Sequence, residues 1–191
     1  VEVGSKVRKF NIGDLVIRPY QFYPEDYGIR QYFGSFAEAG KVVDKEVQWE
    51  DGVEQSGDLL NPHQVLPPGI APDVGVMAIT LKETLSFMKR FGVGAGTSVA
   101  VFGTGPVGAT FVAWAKILGA SHVVLLGRTP ESIERAAALC NPDATMDITG
   151  ENVPERLREL SGGAGFDRVV EGVGDTRIID WGVNALSEDG M

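Results

Sequence analysis

Ser98-Val99-Ala100-Val101-Phe102-Gly103-Thr104-Gly105-Pro106-Val107-Gly108 is the stretch on which the reading of this chain turns. Its first five residues form a short apolar run of the buried-strand type. A Gly-x-Gly-x-x-Gly pattern follows at once. Beyond it Val107, Phe111, Trp114, Ala115 and Leu118 recur at i, i+4, i+7, i+8 and i+11, which places them on one face of a helix. Pro106 suits the first helical turn and Gly119 the position just past the end. The glycine pattern alone is a weak signal, but a strand before it and a helix after it make it a strong one. Gly103 permits the tight turn, Gly105 lets the backbone approach a diphosphate, and Gly108 lets helix and strand pack closely. Amides at the helix start, with the helix dipole, then bind the anion.

The next strand reads His122-Val123-Val124-Leu125-Leu126, and its end carries Gly127-Arg128-Thr129. An NAD site places Asp or Glu about 20 residues past the glycine loop, to accept the ribose hydroxyls. Here nothing repels a 2′-phosphate, Arg128 brings a planar donor fork and Thr129 a hydroxyl. NADP(H) is therefore expected over NAD(H), with NAD(H) as the alternative. Thr129 is expected to cap a helix from Pro130, with Ile133, Ala136 and Ala137 facing inward. Val153, Leu157 and Leu160 mark another helix face, 166–171 a strand, and Ile179, Val183 and Leu186 a last helix. This alternation predicts an α/β fold, a doubly wound parallel sheet of the Rossmann type with helices on both faces.

Upstream, the first ~70 residues read as β and loop. Gly13 to Pro19 is a turn feeding a strand, and Gly40-Lys41-Val42-Val43 and Glu46-Val47-Gln48-Trp49 look like short strands. Glu46, Glu50, Asp51 and Glu54 read as a solvated face. Tyr20, Phe22, Tyr23, Tyr27, Tyr32 and Phe33 line a pocket or a core equally well. Pro67-Pro68-Gly69 and Pro72 form a connector, and a helix is expected from Val74 to Phe91.

The chain has 191 residues, room for one domain and a fraction. Its net charge of −9 argues against nucleic acid or anionic membrane as a partner. No apolar run approaches the ~18 residues of a membrane span, and the N-terminus does not read as a signal peptide. Cys140 is the sole cysteine, which fits a reducing cytoplasm and a packing role. His63 reads as a solvated loop residue and His122 as a strand-end residue; neither has a metal-type partner at ligand spacing. Serine-hydrolase elbows and P-loops are absent from the sequence.

Val65-Leu66-Pro67-Pro68-Gly69-Ile70, the 99–108 segment, Ala115-Lys116-Ile117-Leu118-Gly119-Ala120 and residues 163–174 together resemble the medium-chain dehydrogenase/reductase family, that of the zinc-type alcohol dehydrogenases. Residues 1–7, Phe10, 13–16 and 34–38 resemble parts of that family's first domain. The resemblance implies a partial GroES-like catalytic domain over 1–72 and an NAD(P)-binding Rossmann domain over 73–191 that lacks its last strands. It implies truncation at both ends, with Asp189-Gly190-Met191 as the turn into a fifth strand and a sheet edge prone to self-association. It implies hydride transfer between NADP(H) and a small alcohol or carbonyl, and a homo-oligomer in the full-length form.

Under the same resemblance the cofactor-binding residues are Thr84, Gly103, Thr104, Gly105, Pro106, Val107, Gly108, Gly127, Arg128, Thr129, Gly172, Val173 and Gly174, the last three bordering the nicotinamide. Two departures stand out. A four-cysteine lobe has no counterpart, so no structural zinc is expected. The family's third catalytic-zinc ligand falls at Thr80, so a catalytic zinc is not carried over, and no catalytic residue is assigned. Two rivals stay open: a non-catalytic nucleotide-binding fragment or NADP-sensing module, and a methyltransferase, against which Gly127-Arg128 argues.

Overall fold

The computed structural model describes residues 2–18, 42–52 and 63–191. The aromatic run at 20–36, Gly40-Lys41 and Glu54 lie outside them. The chain divides into two compact units, Val1–Ile79 and Thr80–Met191.

In the first unit β1 (Val16–Ile17) awaits an antiparallel partner further along the chain. The expected strand at Glu46–Trp49 is instead helix α1 (Lys45–Glu50), and Val42–Val43 carry no regular element. Asp44 stands at the N-cap position without a side-chain cap bond, and Gly52, with φ of 72°, turns the chain out of the helix. Asp44 is buried and its Oδ2 accepts the amides of Arg8 and Lys9 at 2.9 and 3.0 Å. Glu46, Glu50 and Asp51 are exposed, the last two paired with Arg8 and Lys6. β2 (Gln64–Val65) supplies the partner, in the register Val16↔Val65. His63 corrects the expectation of a solvated residue: it is 2% exposed, and its Nδ1 accepts the Val43 amide at 3.1 Å. The helix expected from Val74 to Phe91 is two pieces, α2 (Pro72–Gly75) and α3 (Ala78–Arg90).

The second unit alternates β3 (Ser98–Phe102), α4 (Pro106–Ile117), β4 (His122–Gly127), α5 (Pro130–Cys140), β5 (Ala144–Asp147), α6 (Val153–Leu160), β6 (Arg168–Glu171) and α7 (Thr176–Asn184). The strands form one parallel sheet in the order β5-β4-β3-β6. Side chains alternate across it. Val99, Val101, Val123 and Leu125 join Met88, Val112, Ala115, Ala136 and Cys140 on one face, under α3, α4 and α5. Ala100, Phe102, Val124 and Leu126 join Val153, Leu157, Ile178 and Ala185 on the other, under α6 and α7. Both faces are covered, so β3 and β4 are apolar throughout their centres. At the head of the sheet Asp167 Oδ2 accepts the Ser98 amide and hydroxyl at 2.7 and 2.9 Å, clasping β6 to β3. Past α7, Met191 lies beside β6 and its carbonyl accepts the Val169 amide at 2.9 Å.

The buried face of α4 is rotated from its expected position, and α7 buries residues other than those that marked it in the sequence. On α4 the buried residues are Gly108, Thr110, Val112 and Ala115, while Val107 is 46% exposed and Phe111, Trp114 and Leu118 flank the core. Gly108 sets this rotation by seating the helix against the strand's exit turn. On α7 Ile178, Gly182 and Ala185 face inward and Ile179 and Val183 are exposed. Gly182 lies against Val169 closely enough that a Cβ there would be 3.1 Å from the valine Cγ1.

Candidate functional site

The winding reverses at β3: α4 and α5 lead to β4 and β5 on one side, and α6 crosses to β6 on the other. Ligands of open parallel sheets bind at such a point, beyond the carboxyl ends of the strands. A cleft of about 360 Å³ opens there. Three stretches line it: Gly103, Thr104 and Gly105 from the β3–α4 turn; Leu126 to Thr129 with Ser132 from the β4–α5 corner; and Gly172 with Val173 after β6. Ile148 completes the wall.

Each glycine of the loop carries a different constraint. Gly103 has φ of 124°, which disfavours any side chain, and its amide donates to Leu126 O at 2.9 Å. A Cβ on Gly108 would stand 1.9 Å from the Gly103 carbonyl oxygen. A Cβ on Gly105 would meet nothing within 4 Å. Folding therefore demands glycine at 108 and leaves 105 bare toward the cleft, the arrangement of a cradle for a group arriving from outside. Gly127 has the packing constraint too, since a Cβ would come 2.5 Å from Thr104 Cγ2 and 2.7 Å from Ile133 Cγ1.

The structure thus gathers Gly103, Thr104, Gly105, Gly127, Arg128, Thr129, Gly172 and Val173 around one opening. Pro106, Val107 and Gly108 form the first turn of α4 behind the loop, and Gly174 follows Val173. Thr84 is not among the lining residues. It is buried on α3, and its hydroxyl donates to Thr80 O at 2.7 Å.

Arg128 and Thr129 are exposed at the strand end. Thr129 takes the N-cap position of α5 but does not cap by its side chain; its hydroxyl donates to Ser132 Oγ at 2.8 Å. Ser132 is a cleft residue that sequence reasoning passed over. Its signal is the Thr-x-x-Ser spacing at a helix start. Glu171 is another: its Oε1 accepts the amides of Val173 and Gly174 at 2.6 and 2.8 Å and pins the loop after β6. Asp175 caps α7 and holds Arg177 at 2.8 Å. That hydrogen bond keeps its carboxyl below the usual range, and the charge of Arg128 adds a smaller pull.

The open space over Gly105 and the cation at the next strand end fit a dinucleotide diphosphate and a further phosphate. Zinc does not fit in the same way: among the described residues no three His, Cys, Asp or Glu side chains gather as ligands. Cys140 is buried, its thiol donates to Ala136 O at 3.0 Å, and burial pushes its pKa up, away from a reactive thiolate.

Residues 106–191 match the family described as zinc-binding dehydrogenase. The chain is 28% identical over 136 residues to erythritol/L-threitol dehydrogenase of Mycolicibacterium smegmatis, covering 69% of this chain and 37% of that protein. It is 27% identical over 202 residues to NADP-dependent isopropanol dehydrogenase of Clostridium beijerinckii, covering 100% of this chain and 56% of that protein. Among solved structures, alcohol dehydrogenase TADH from Thermus sp. ATN1 superposes with a TM-score of 0.61 at 32% identity, over 67% of this chain and 38% of that one. The zinc-binding dehydrogenase of Clostridium scindens does so with a TM-score of 0.63 at 30% identity, over 68% and 36%. These relatives are zinc-type medium-chain dehydrogenases, and the chain spans only part of their length.

Proposed function

We propose, from the premise that this chain belongs to the medium-chain dehydrogenase/reductase family, that it serves hydride transfer between NADP(H) and a small alcohol or carbonyl compound. The observation that carries the reading is the cleft itself, where a diphosphate cradle and Arg128 share one opening. The glycine loop and the start of α4 bind the diphosphate. Arg128 meets the adenosine phosphate with a charged fork. Because the adenosine half lies toward β4, the nicotinamide half lies toward β6, where Gly172 to Gly174 border it. Thr84, on α3, belongs to the same reading as a residue near the nicotinamide. The protein's part is to orient the cofactor, which carries the chemistry.

The relatives named as NADP-dependent isopropanol dehydrogenases, from Clostridium beijerinckii and Thermoanaerobacter brockii, support this cofactor choice. In this reading 1–72 is catalytic-domain sequence of the GroES-like type and 73–191 the nucleotide-binding domain, in a cytoplasmic homo-oligomer.

Titration of the purified protein with NADPH and NADH tests the proposal, followed by assay of nucleotide oxidation with a panel of short ketones and aldehydes. Tighter binding of NADPH and turnover of a panel member are expected. Arg128→Glu should weaken NADPH by about 10- to 100-fold with little change for NADH. Tighter binding of NADH overturns the cofactor assignment. Binding without turnover across the panel turns the reading to a nucleotide-binding module.

A further inference from the structure

Glu171 ends β6, and its side chain turns back onto the loop that follows. Its Oε1 accepts the amides of Val173 and Gly174 at 2.6 and 2.8 Å. Val173 lines the cleft, so the carboxylate stands directly behind the wall. The two amides are neutral groups: they orient the carboxylate and leave its charge in place. Among the described residues no lysine, arginine or histidine forms an ion pair with it. The neighbouring acid differs. Asp175 is matched by Arg177, whose Nε and Nη2 donate to Oδ1 and Oδ2 at 3.2 and 2.8 Å. Glu171 therefore brings an unmatched negative charge to this end of the cleft.

A cation stands at the other end. Phe102 on β3 is in register with Glu171 on β6 and with Leu126 on β4. Two strand spacings of about 4.8 Å separate Glu171 from Leu126, and Arg128 follows shortly after Leu126. The cleft thus has a positive pole on the β4 side and a negative pole on the β6 side. The oxidised and reduced forms of a nicotinamide coenzyme share every phosphate and differ by one positive charge on the ring. A fixed carboxylate lowers the energy of the cationic ring and leaves the neutral ring nearly untouched. We infer that Glu171 is a specificity-determining residue for the oxidation state of the coenzyme, its charge favouring NADP⁺ over NADPH. The inference rests on the cofactor reading above, which puts the nicotinamide half toward β6, and extends it from the choice of nucleotide to the choice of redox form. Holding the oxidised form more tightly makes the bound coenzyme a stronger hydride donor than it is with Glu171 neutralised.

The test measures NADP⁺ and NADPH affinity by calorimetry for the wild-type protein and Glu171→Gln, whose side-chain carbonyl can accept the same two amides. Glu171→Gln should weaken NADP⁺ about 3- to 10-fold and shift NADPH by less than about twofold. A residue that merely braces the loop would weaken both forms alike; that outcome, or an unchanged NADP⁺ affinity, overturns the inference. The wild-type protein tests the same point without a variant. The phosphates are common to both forms, so the ratio of NADP⁺ to NADPH affinity should fall as added salt rises to about 0.5 M and screens the ring charge. A ratio indifferent to salt overturns the inference as well. A wild-type protein that binds neither nucleotide overturns the cofactor reading, and this inference with it.

Discussion

Gly105 and Gly108 are three positions apart and answer to different constraints. At Gly108 an added Cβ would strike the Gly103 carbonyl oxygen at 1.9 Å, whereas at Gly105 it would project into open space. Gly108→Ala is expected to destabilise the fold by about 1–3 kcal/mol, the range of an overpacked site. Gly105→Ala should stay within about 0.5 kcal/mol of the wild type while losing about tenfold or more in NADPH affinity. Thermal denaturation and nucleotide titration of both variants check this; a Gly105→Ala protein with unimpaired binding would show that nothing approaches that backbone. These glycines were legible in the sequence because their constraint is local, strand to turn to helix within eleven residues. Ser132 offered only the Thr-x-x-Ser spacing as a signal, because the Thr104 hydroxyl it bonds lies 28 positions away and is reached only once β3 and β4 pair. His63 was misread for a related reason: a single imidazole in a Pro-rich stretch looks solvated until the Val43 amide is seen to face it.

At the scale of the element, period alone did not fix rotation. Along α7 apolar residues stand next to one another at Ile178-Ile179 and again around Gly182-Val183, so two faces satisfy the same spacing. The choice fell to the smallest residue, Gly182, which lets α7 close on Val169. The same logic turned α4 about Gly108. In α1 the left-handed turn at Gly52 ends a helix that formed despite the strand preference of Val47 and Trp49. Strand pairing depends on a clasp that sequence pattern could not show, Asp167 on Ser98. The Ser98 amide first, then its hydroxyl and the charge of Arg168, hold the Asp167 carboxyl below its usual range against the opposing pull of burial. A depressed carboxylate stabilises the fold above its unfolded value of about 3.9, and the contribution is lost as pH falls through the lower folded value. Asp167→Ala should cost about 1–3 kcal/mol at neutral pH by orphaning the Ser98 amide. The gap to the wild type should narrow below about pH 4, which urea denaturation at neutral and acid pH would measure.

Across the whole molecule, burial is unevenly spread. Val99 to Phe102 and Val123 to Leu126 are all 0% exposed, whereas Phe10, Val47 and Leu66 are the buried apolar residues described in the first unit, at 7–9%. Amide hydrogen exchange should therefore be slowest in β3 and β4, with protection above roughly ten thousandfold. The described residues 2–18 and 42–52 should exchange much faster; equal protection in both units would contradict the picture. The alternating strands and helices from Ser98 onward were readable in outline because each element there is long and apolar enough to declare itself. Before Pro72 the strands are two residues long, and their pairing depends on partners distant in sequence.

The β4–α5 corner has one more consequence. Five consecutive strand residues, Val123 to Gly127, are buried, yet Arg128 and Thr129, immediately after them, are open to water. Under the proposed cofactor reading, what discriminates between nucleotides is decoupled from what keeps the scaffold standing. A lineage could exchange one coenzyme for the other through a handful of surface codons, without any compensating change in the interior.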